Sequence, residues 1–195
     1  MFDWIILGAG PGGYEAAIRA AQLGKKVALV EKDRVGGVCL NRGCVPTKAL
    51  LHAAMGYEEI SRLGAWGITA EHAAYDLQRM YARKEEVVAT LREGVERLLQ
   101  QNGVTLVFGT GVLRDGRTVA VGEEVLQGER ILLATGAVPI LPDIPGKNFS
   151  GVVTSDGLLA APPPGKRLVI IGGGAIGVEF ASLFAPLGYE VTLLE

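Results

Sequence analysis

Two cysteines stand out as residues that could do chemistry, because Cys39 and Cys44 are the only cysteines in the chain and Lys48 follows one helical turn later. Pro46 suits the first turn of a helix, so Cys44 is predicted to lie near a helix N-terminus. The partial positive charge there and the lysine favour a thiolate, and we expect Cys44 to have the lower pKa of the two. Cys39 is predicted to lie in the preceding loop and to be the more accessible sulfur. This asymmetry is typical of a pair that exchanges electrons.

Inert buried thiols and a metal site are the alternatives for this pair. A closed zinc site needs four ligands, and the two histidines, His52 and His72, lie in helical or loop stretches without ligand spacing. The glycine and proline setting and the nearby Lys48 argue against inert thiols. We therefore expect redox chemistry and no bound metal.

A glycine-rich turn precedes the cysteines, between a buried strand (2–7) and a helix (14–23). A second strand (26–30) then leads to Glu31. Small residues let the backbone approach a pyrophosphate at the helix N-terminus, and a carboxylate in this place accepts hydrogen bonds from a ribose. The segment therefore predicts a dinucleotide-binding βαβ unit with the turn Gly8-Ala-Gly10-Pro-Gly12-Gly13.

The same device returns near the end of the chain, between a strand (168–171) and a helix (178–187), with the turn Gly172-Gly-Gly174-Ala-Ile-Gly177. The following strand ends at Glu195, and in both copies the carboxylate lies 23 residues after the first glycine. This repetition predicts a second nucleotide site. A carboxylate at this place hydrogen-bonds the adenosine 2′-hydroxyl of NAD and repels the 2′-phosphate of NADP.

The segment between the two turns is organised differently. We predict a helix over residues 46–62 and a long amphipathic helix over 76–101, whose apolar face either packs on the core, which we favour, or binds a partner. Residues 104–140, with turns at Asp115-Gly116 and Gly122, predict a small antiparallel meander. The predicted apolar face of the long helix consists of Leu77, Tyr81, Val88, Leu91, Val95 and Leu98.

The expected fold is therefore α/β, with two Rossmann-like units, an inserted antiparallel β-meander and a domain boundary near residues 140–150. The second unit has only two strands of its sheet, so we expect an exposed edge and a larger protein of which this is the N-terminal part. Nearly half the residues are apolar and the net charge is -2, which gives no electrostatic reason for nucleic acid or an anionic membrane as partner. Without a long apolar run or room for a leader before the first strand, we expect a cytoplasmic protein.

These motifs resemble those of the flavoprotein disulfide reductases of the pyridine-nucleotide class, in the family's order and over the whole chain. Cys39-Leu-Asn, and Thr47-Lys-Ala-Leu after the proline, favour the branch that oxidises dihydrolipoamide over glutathione or mercuric reductases. The segments that carry the resemblance are Gly8-Ala-Gly-Pro-Gly-Gly-Tyr14-Glu-Ala-Ala, Gly36-Gly-Val-Cys39-Leu-Asn-Arg-Gly-Cys44-Val-Pro-Thr-Lys48, Ala134-Thr-Gly136 and Gly172-Gly-Gly-Ala-Ile-Gly-Val-Glu179.

The resemblance implies an FAD-binding domain with the redox disulfide and the meander (1–145), and the beginning of an NAD-binding domain (146–195). The FAD residues would be Gly8, Gly10, Gly12, Gly13, Glu31, Lys32, Gly36, Gly37, Val38, Cys39, Lys48, Gly111, Thr135, Gly136 and Ala137. The NAD residues would be Gly172, Gly174, Ala175, Ile176, Gly177, Glu179 and Glu195.

The resemblance also implies catalytic roles. Cys39 would exchange with substrate and Cys44 would contact the flavin, while Lys48 would lie beside the flavin and pair with Glu179. We expect that ion pair to be buried, so that losing one partner costs more stability than losing both.

The implied reaction is oxidation of dihydrolipoamide to lipoamide with NAD⁺. The implied partners are the lipoyl domain of a 2-oxo acid dehydrogenase complex and a second subunit, whose histidine–glutamate base lies outside this chain. Another flavin-dependent disulfide or mercuric reductase is the alternative enzyme, and a nucleotide-binding module with an inert core is the non-enzyme alternative. Two positions depart from the family pattern: Val38 replaces a threonine, and Ala175 replaces the gating tyrosine of glutathione reductases.

Overall fold

The computed structural model describes residues 1–195, which form an α/β structure. Its strands are β1 (Phe2–Leu7), β2 (Val27–Glu31), β3 (Thr105–Phe108), β4 (Gly111–Leu113), β5 (Thr118–Val121), β6 (Glu124–Leu133), β7 (Arg167–Ile171) and β8 (Glu190–Leu194). Its α-helices are α1 (Pro11–Gln22), α2 (Gly37–Arg42), α3 (Cys44–Arg62), α4 (Leu77–Gln101), α5 (Ser155–Ala160) and α6 (Ala175–Phe184). Short 3₁₀ helices follow α3 and α6, at Leu63–Trp66 and Ala185–Leu187.

The first compact unit, which we call the sheet unit, consists of residues 1–41 and 88–138. Its six-stranded sheet has the order β3-β2-β1-β6-β5-β4. β1 pairs in parallel with β2 on one side and with β6 on the other, with Ile5 opposite Ala28 and Ile131. The parallel β1–α1–β2 arrangement confirms the predicted βαβ unit and the α/β class.

The antiparallel meander is smaller than predicted. It contains β4, β5 and the first half of β6, whereas β3 pairs in parallel with β2, with Ala28 opposite Thr105. The helix α4 precedes β3 and returns the chain to the start of the sheet, so β3 enters in the direction of β2. Gly128 lies where β6 changes from antiparallel pairing with β5 to parallel pairing with β1.

Alternate residues of the central strands face opposite sides of the sheet, and both sides are covered. Ile5 and Leu7 of β1 pack on one side with Val119 and Val121 of β5. Ile6, between them, packs on the other side in a cluster that includes Ala9, Ala17, Val27, Leu29, Val35, Leu99 and Val104. The continuous apolar character of β1 and β2 therefore reflects burial on both faces.

The second compact unit, which we call the helical unit, consists of residues 42–87 and 139–195. Its core joins Leu50 and Ala54 of α3 to Phe180, Leu183 and Phe184 of α6. Its sheet has only the parallel pair β7–β8. Apolar side chains of this pair are exposed, as expected for an incomplete sheet: Val169, Ile171, Leu193 and Leu194. The division of the chain into an FAD-binding part up to residue 145 and an NAD-binding part after it stays a prediction.

The predicted apolar face of α4 is wrong at two positions. Leu91 and Leu98 are 47% and 48% exposed, whereas Leu99 is buried. Successive residues of a helix point about 100° apart, so only one of the neighbours Leu98 and Leu99 can face the core, and the pattern alone did not decide which.

Lys84 is also buried on α4, although no apolar pattern could identify it. Its Nζ donates to the backbone oxygen of Leu159 at 2.6 Å and lies 2.6 Å from a carboxylate oxygen of Glu85. The hydroxyl of Tyr81 donates to the oxygen of Leu158 at 2.8 Å. Both side chains thus satisfy carbonyls in the last turn of α5, which have no partner within that short helix.

None of the helices is both long and apolar enough to cross a membrane.

The contact between Tyr81 and α5 makes a testable contribution to stability. Replacing Tyr81 by Phe leaves the Leu158 oxygen without its donor, so we expect the free energy of unfolding to fall by about 1–2 kcal/mol in urea denaturation. Tyr57→Phe is the control, because the Tyr57 ring packs edge-on against Tyr75 with 5.0 Å between centroids. Equal losses in the two variants would show that the hydrogen bond to Leu158 is not the cause.

Candidate functional site

The first glycine turn is shaped by close backbone approach. Gly8 has φ +98°, and a Cβ there would lie 2.2 Å from the oxygen of Ala134. A Cβ on Gly13 would lie only 1.8 Å from the oxygen of Gly8. By contrast, a Cβ on Gly12 would meet nothing within 4 Å, so this side of the turn faces open space. The turn therefore requires glycine at its first and last positions and leaves the N-terminus of α1 approachable.

Glu31 is buried and has two roles. It holds the first glycine turn by a hydrogen bond, and it could also accept a hydrogen bond from a nucleotide. One carboxylate oxygen accepts from the N–H of Ala9 at 2.7 Å, and the other accepts from the N–H of Asp33 at 2.9 Å. Each oxygen retains acceptor capacity, so a ribose hydroxyl could still donate to this carboxylate. The sequence predicted only the ribose contact and not the bond to the turn.

A cavity of about 190 Å³ opens at the carboxyl ends of β1, β2 and β3. Ligands of open α/β sheets bind at this edge. The cavity is lined by Leu7, Gly8, Val30, Glu31, Lys32, Gly109, Thr110, Gly111 and Thr135. It brings together five of the residues predicted for FAD, while Gly136 and Ala137 follow Thr135 outside the lining.

Gly109 and Thr110 were not predicted as site residues. Gly109 has φ +146°, and its N–H donates to the oxygen of Glu31 at 2.8 Å. The Gly-Thr-Gly sequence directly after a strand was the available signal. It was missed because β3 was assigned to the meander and not to the parallel sheet, whose strand ends meet at one edge.

The loop at Gly36 and Gly37 packs on the first glycine turn. The N–H of Gly36 donates to the oxygen of Ala9 at 2.7 Å, and a Cβ on Gly37 would lie 2.6 Å from the Cα of Gly10. Val38 follows in α2 and is half-buried. These glycines therefore bring a second stretch of backbone against the turn predicted to bind phosphate.

The residues of the sheet unit fit FAD. The turn has an open side at Gly12, a buried carboxylate stands at the end of β2, and the cavity lies at the same strand ends. Gly8, Gly10, Gly12 and Gly13 could hold the pyrophosphate, and Glu31 could hold the ribose. No group of three or more His, Cys, Asp or Glu side chains is placed to hold a metal ion.

The second glycine turn repeats this geometry in the helical unit. Gly172 has φ +111°, and a Cβ on Gly177 would lie 1.9 Å from the oxygen of Gly172. The N–H of Gly173 donates to the carboxylate of Glu195, as the N–H of Ala9 does to Glu31. Gly174 precedes α6, which begins with Ala175, and Ile176 is exposed. This turn also fits a dinucleotide, with a carboxylate in the place that favours NAD.

The accessibility expected for the two cysteines is wrong in the structure. Both are thiols, but Cys44 is exposed and Cys39 is half-buried. Cys44 is the first residue of α3, where its side chain stands at the helix N-terminus. Cys39 lies within the short helix α2 and not in a loop. Tyr14 lies near it: partial burial raises the pKa of this phenol, and Glu15 and Cys39 raise it further.

Lys48 and Glu179 are in contact, with 2.8 Å between Nζ and Oε1. They join α3 and α6 about one turn after each helix begins, and these two helices also share the core of the helical unit. The protein itself leaves the Lys48 side chain 62% and that of Glu179 34% exposed, so burial of this pair behind a bound flavin stays a prediction. Both side chains lie at the start of their helices, beyond the core residues Leu50 and Phe180.

A sequence model of the family described as pyridine nucleotide-disulphide oxidoreductase matches residues 2–195. The chain belongs to this family. The α/β fold and the resemblance predicted from the motifs are thereby confirmed, and FAD and NAD are the cofactors of these flavin-dependent disulfide oxidoreductases.

Individual relatives of this oxidoreductase chain agree with that assignment. Dihydrolipoyl dehydrogenase of Zymomonas mobilis is 46% identical over 202 residues, which cover 100% of this chain and 43% of that protein. Dihydrolipoyl dehydrogenase of Acholeplasma laidlawii is 43% identical over 199 residues, covering 100% of this chain and 59% of that protein. The solved structure of the HOCl-induced flavoprotein disulfide reductase RclA from Escherichia coli has a TM-score of 0.84 at 35% identity, covering 99% of this chain and 42% of its own. The chain thus spans about half the length of these oxidoreductases.

Adjacent glycines of the first turn give a matched pair of variants. Gly13→Ala places a methyl group 1.8 Å from a backbone oxygen, so we expect the free energy of unfolding to fall by at least about 2 kcal/mol. Gly12→Ala meets open space and should change stability by less than about 1 kcal/mol, but should weaken FAD binding. Urea denaturation and flavin fluorescence measure the two effects. Full FAD affinity in Gly12→Ala would show that the open side of the turn is not the flavin site.

The exposed Lys48–Glu179 pair should contribute little to stability. We expect Lys48→Met and Glu179→Gln each to lower the free energy of unfolding by less than about 1 kcal/mol, with a coupling energy of similar size in a double-mutant cycle. The measurement is urea denaturation of the four proteins without added cofactor. A single-variant loss above about 3 kcal/mol that the double variant restores would instead indicate a buried pair.

Proposed function

We propose that this chain forms the nucleotide-binding and redox part of a dihydrolipoyl dehydrogenase, which oxidises dihydrolipoamide to lipoamide with NAD⁺ as terminal acceptor. The observation that carries this proposal is the contact between Lys48 and Glu179, 2.8 Å long. It connects the helix that begins with Cys44 to the helix that begins at the second glycine turn. The redox thiol and a nucleotide turn thus belong to one packed group of elements. The similarity to two dihydrolipoyl dehydrogenases over the whole chain supports the choice of substrate.

The proposed chemistry begins with a disulfide between Cys39 and Cys44. One thiolate of dihydrolipoamide attacks Sγ of Cys39, the bond to Cys44 breaks, and Cys44 leaves as a thiolate. The second substrate thiolate attacks the substrate sulfur of the mixed disulfide, which closes lipoamide and releases Cys39. Two electrons pass from substrate to the cysteines, and the two thiol protons go to a base. The order of attack rests on the family resemblance, because Cys44 is the more exposed sulfur in the structure.

Residues around Cys44 suit a sulfur that leaves with negative charge. Cys44 begins α3, so the backbone N–H groups of the first turn point toward its side of the helix. Lys48 lies one turn further on the same face and adds a positive charge. Glu179 holds the Lys48 ammonium at a fixed place, which makes Lys48 and Glu179 the third and fourth catalytic residues of the proposal.

The two glycine turns would hold the cofactors on which the overall reaction depends. FAD, when bound, supplies the two-electron transfer that links the dithiol to NAD⁺. Its pyrophosphate would lie on the turn that begins at Gly8, with Gly36 and Gly37 close by and Glu31 on the ribose. NAD would lie on the turn that begins at Gly172, with Glu195 accepting hydrogen bonds from the adenosine ribose and disfavouring a 2′-phosphate.

We propose, as the family resemblance implies, that the base and the partners come from outside this chain. A histidine–glutamate pair from the second subunit of a homodimer would receive the substrate protons, and neither His52 nor His72 matches that motif. The lipoyl domain of a 2-oxo acid dehydrogenase complex would present the substrate. Residues 1–195 alone are therefore expected to lack lipoamide turnover while retaining the nucleotide and disulfide sites.

Reduction of another disulfide or of a metal ion by the same core is the second candidate function. The similarity to RclA favours it, because two of the RclA structures are described as Cu(II) complexes. A pair of closely spaced thiols is also a suitable group for a soft metal ion.

A substrate panel on the intact protein separates the two candidates. We expect NAD⁺-dependent oxidation of dihydrolipoamide, and little NADH- or NADPH-dependent reduction of glutathione disulfide, Hg²⁺ or Cu²⁺. Partial reduction should produce a long-wavelength absorbance band that Cys44→Ser abolishes and Cys39→Ser retains, because the Cys44 thiolate is proposed to contact the flavin. Rapid reduction of Cu²⁺ or Hg²⁺ with no lipoamide activity would replace the proposal by the second candidate. Loss of the band only in Cys39→Ser would reverse the two cysteine roles.

A further inference from the structure

The Asn41 side chain makes three hydrogen bonds, two of them to the backbone of the segment that contains Cys39. Its Nδ2 donates to the backbone oxygens of Val35 and Gly37, each at 2.9 Å. Its Oδ1 accepts from Nη1 of Arg92, on α4, at 3.3 Å. Both Asn41 and Arg92 are half-buried. The side chain of Asn41 thus spans the helical turn from residue 37 to 41, and Cys39 lies in the middle of that turn.

Arg92 and two backbone oxygens favour the same orientation of the Asn41 amide. A guanidinium has N–H donors and no acceptor, so only the oxygen of the amide can face it. The amide nitrogen must then point to the opposite side, where two carbonyl oxygens require donors. If the amide were reversed, its oxygen would face the oxygens of Val35 and Gly37, and its NH₂ group would face a cation. A donor-only residue at position 92 therefore favours the same amide orientation as the two backbone oxygens, and an acceptor there would oppose it.

The segment held by Asn41 is the one that packs on the first glycine turn. Val35 is fully buried in the core, and the neighbouring Gly36 donates its N–H to the oxygen of Ala9 at 2.7 Å. Gly37, whose oxygen accepts from Asn41, lies against Gly10. Any rotation of the Gly37 peptide would therefore be transmitted to the backbone beside the proposed pyrophosphate position.

We propose that Arg92 is a positioning residue that acts through Asn41. It stabilises the amide orientation that holds Gly36 and Gly37 against the first glycine turn and keeps Cys39 in its half-buried place. Arg92 belongs to none of the predicted sites. The part of the inference that concerns substrate exchange at Cys39 rests on the proposed function, whereas the part that concerns FAD rests on the family and the turn geometry.

Three substitutions at position 92 test the amide orientation in the intact protein. Arg92→Lys keeps a donor-only cation and should leave the FAD dissociation constant within about twofold of the original. Arg92→Met removes the donor and should raise that constant about fivefold, the effect of one lost hydrogen bond. Arg92→Glu places an acceptor against the amide oxygen and competes for the NH₂ group, so it opposes the native orientation and should raise the constant by a further tenfold or so. Flavin fluorescence measures binding, and iodoacetamide labelling of the reduced protein should show faster alkylation of Cys39 in the same order.

Two control variants separate the effect of the Asn41 amide orientation from the effect of the charge on α4. Arg97→Glu makes the same charge change on an exposed position of the same helix and should leave FAD affinity unchanged. In an Asn41→Ala background, Arg92→Glu should have no additional effect on FAD affinity, because the residue through which it acts is gone. Urea denaturation checks that each variant is folded under the assay conditions.

Two results would overturn the inference. One is an Arg92→Glu variant that binds FAD no more weakly than Arg92→Met. The other is an undiminished effect of Arg92→Glu in the Asn41→Ala background, which would show direct electrostatic action. Neither readout uses lipoamide, so a protein with a different substrate would refute the proposed function and leave this test intact.

Discussion

The close approach of two backbone segments within each glycine turn is the constraint on which the rest of the structure depends. Gly13 and Gly177 stand so near the oxygens of Gly8 and Gly172 that a side chain at either place would overlap a backbone atom. Because of this contact, each helix begins directly above the end of its strand. The carboxylates of Glu31 and Glu195 then bind the residue after the first glycine and tie the next strand to the same turn. In both units, the same close approach of glycine to a backbone oxygen thus fixes how the strand, the turn, the start of the helix and the carboxylate are arranged.

The segment that contains the two cysteines is held near the glycine turns by the side chains of Asn41 and Lys48. Asn41 holds the part that contains Cys39 to the backbone beside the first turn, within the sheet unit. Lys48 holds the helix that contains Cys44 to α6, which starts at the second turn, within the helical unit. Each cysteine therefore has a neighbour in sequence that holds its segment: Asn41 acts on the segment that packs on the first glycine turn, and Lys48 acts on the helix that begins at the second.

Sequence reasoning predicted the features whose cause is local. The glycine turns could be located because the steric condition acts within a few residues, and the helices at 46–62 and 76–101 followed from Pro46 and from apolar periodicity. The contact of Lys48 with Glu179 came from family resemblance, since nothing local connects residues so far apart. The burial of Lys84 and the role of Arg92 could not be predicted, because their partners, Leu159 and Asn41, are defined only by the tertiary structure. The assignment of β3 failed for the same reason: a short apolar strand does not specify its neighbour.

The interleaved course of the chain has a consequence for how the protein is made. The sheet unit needs residues 88–138 to complete what residues 1–41 begin, and the helical unit needs residues 139–195 to complete what 42–87 begin. The central strand β1 gains its second neighbour only when β6 is available, more than a hundred residues later. During synthesis, the sheet unit cannot close before the first half of the helical unit has emerged from the ribosome, and the helical unit cannot close before all of the sheet unit has emerged. Such long-range pairing slows folding. Until β6 has emerged, the apolar strand β1 lacks one of the two neighbours between which it lies in the folded chain.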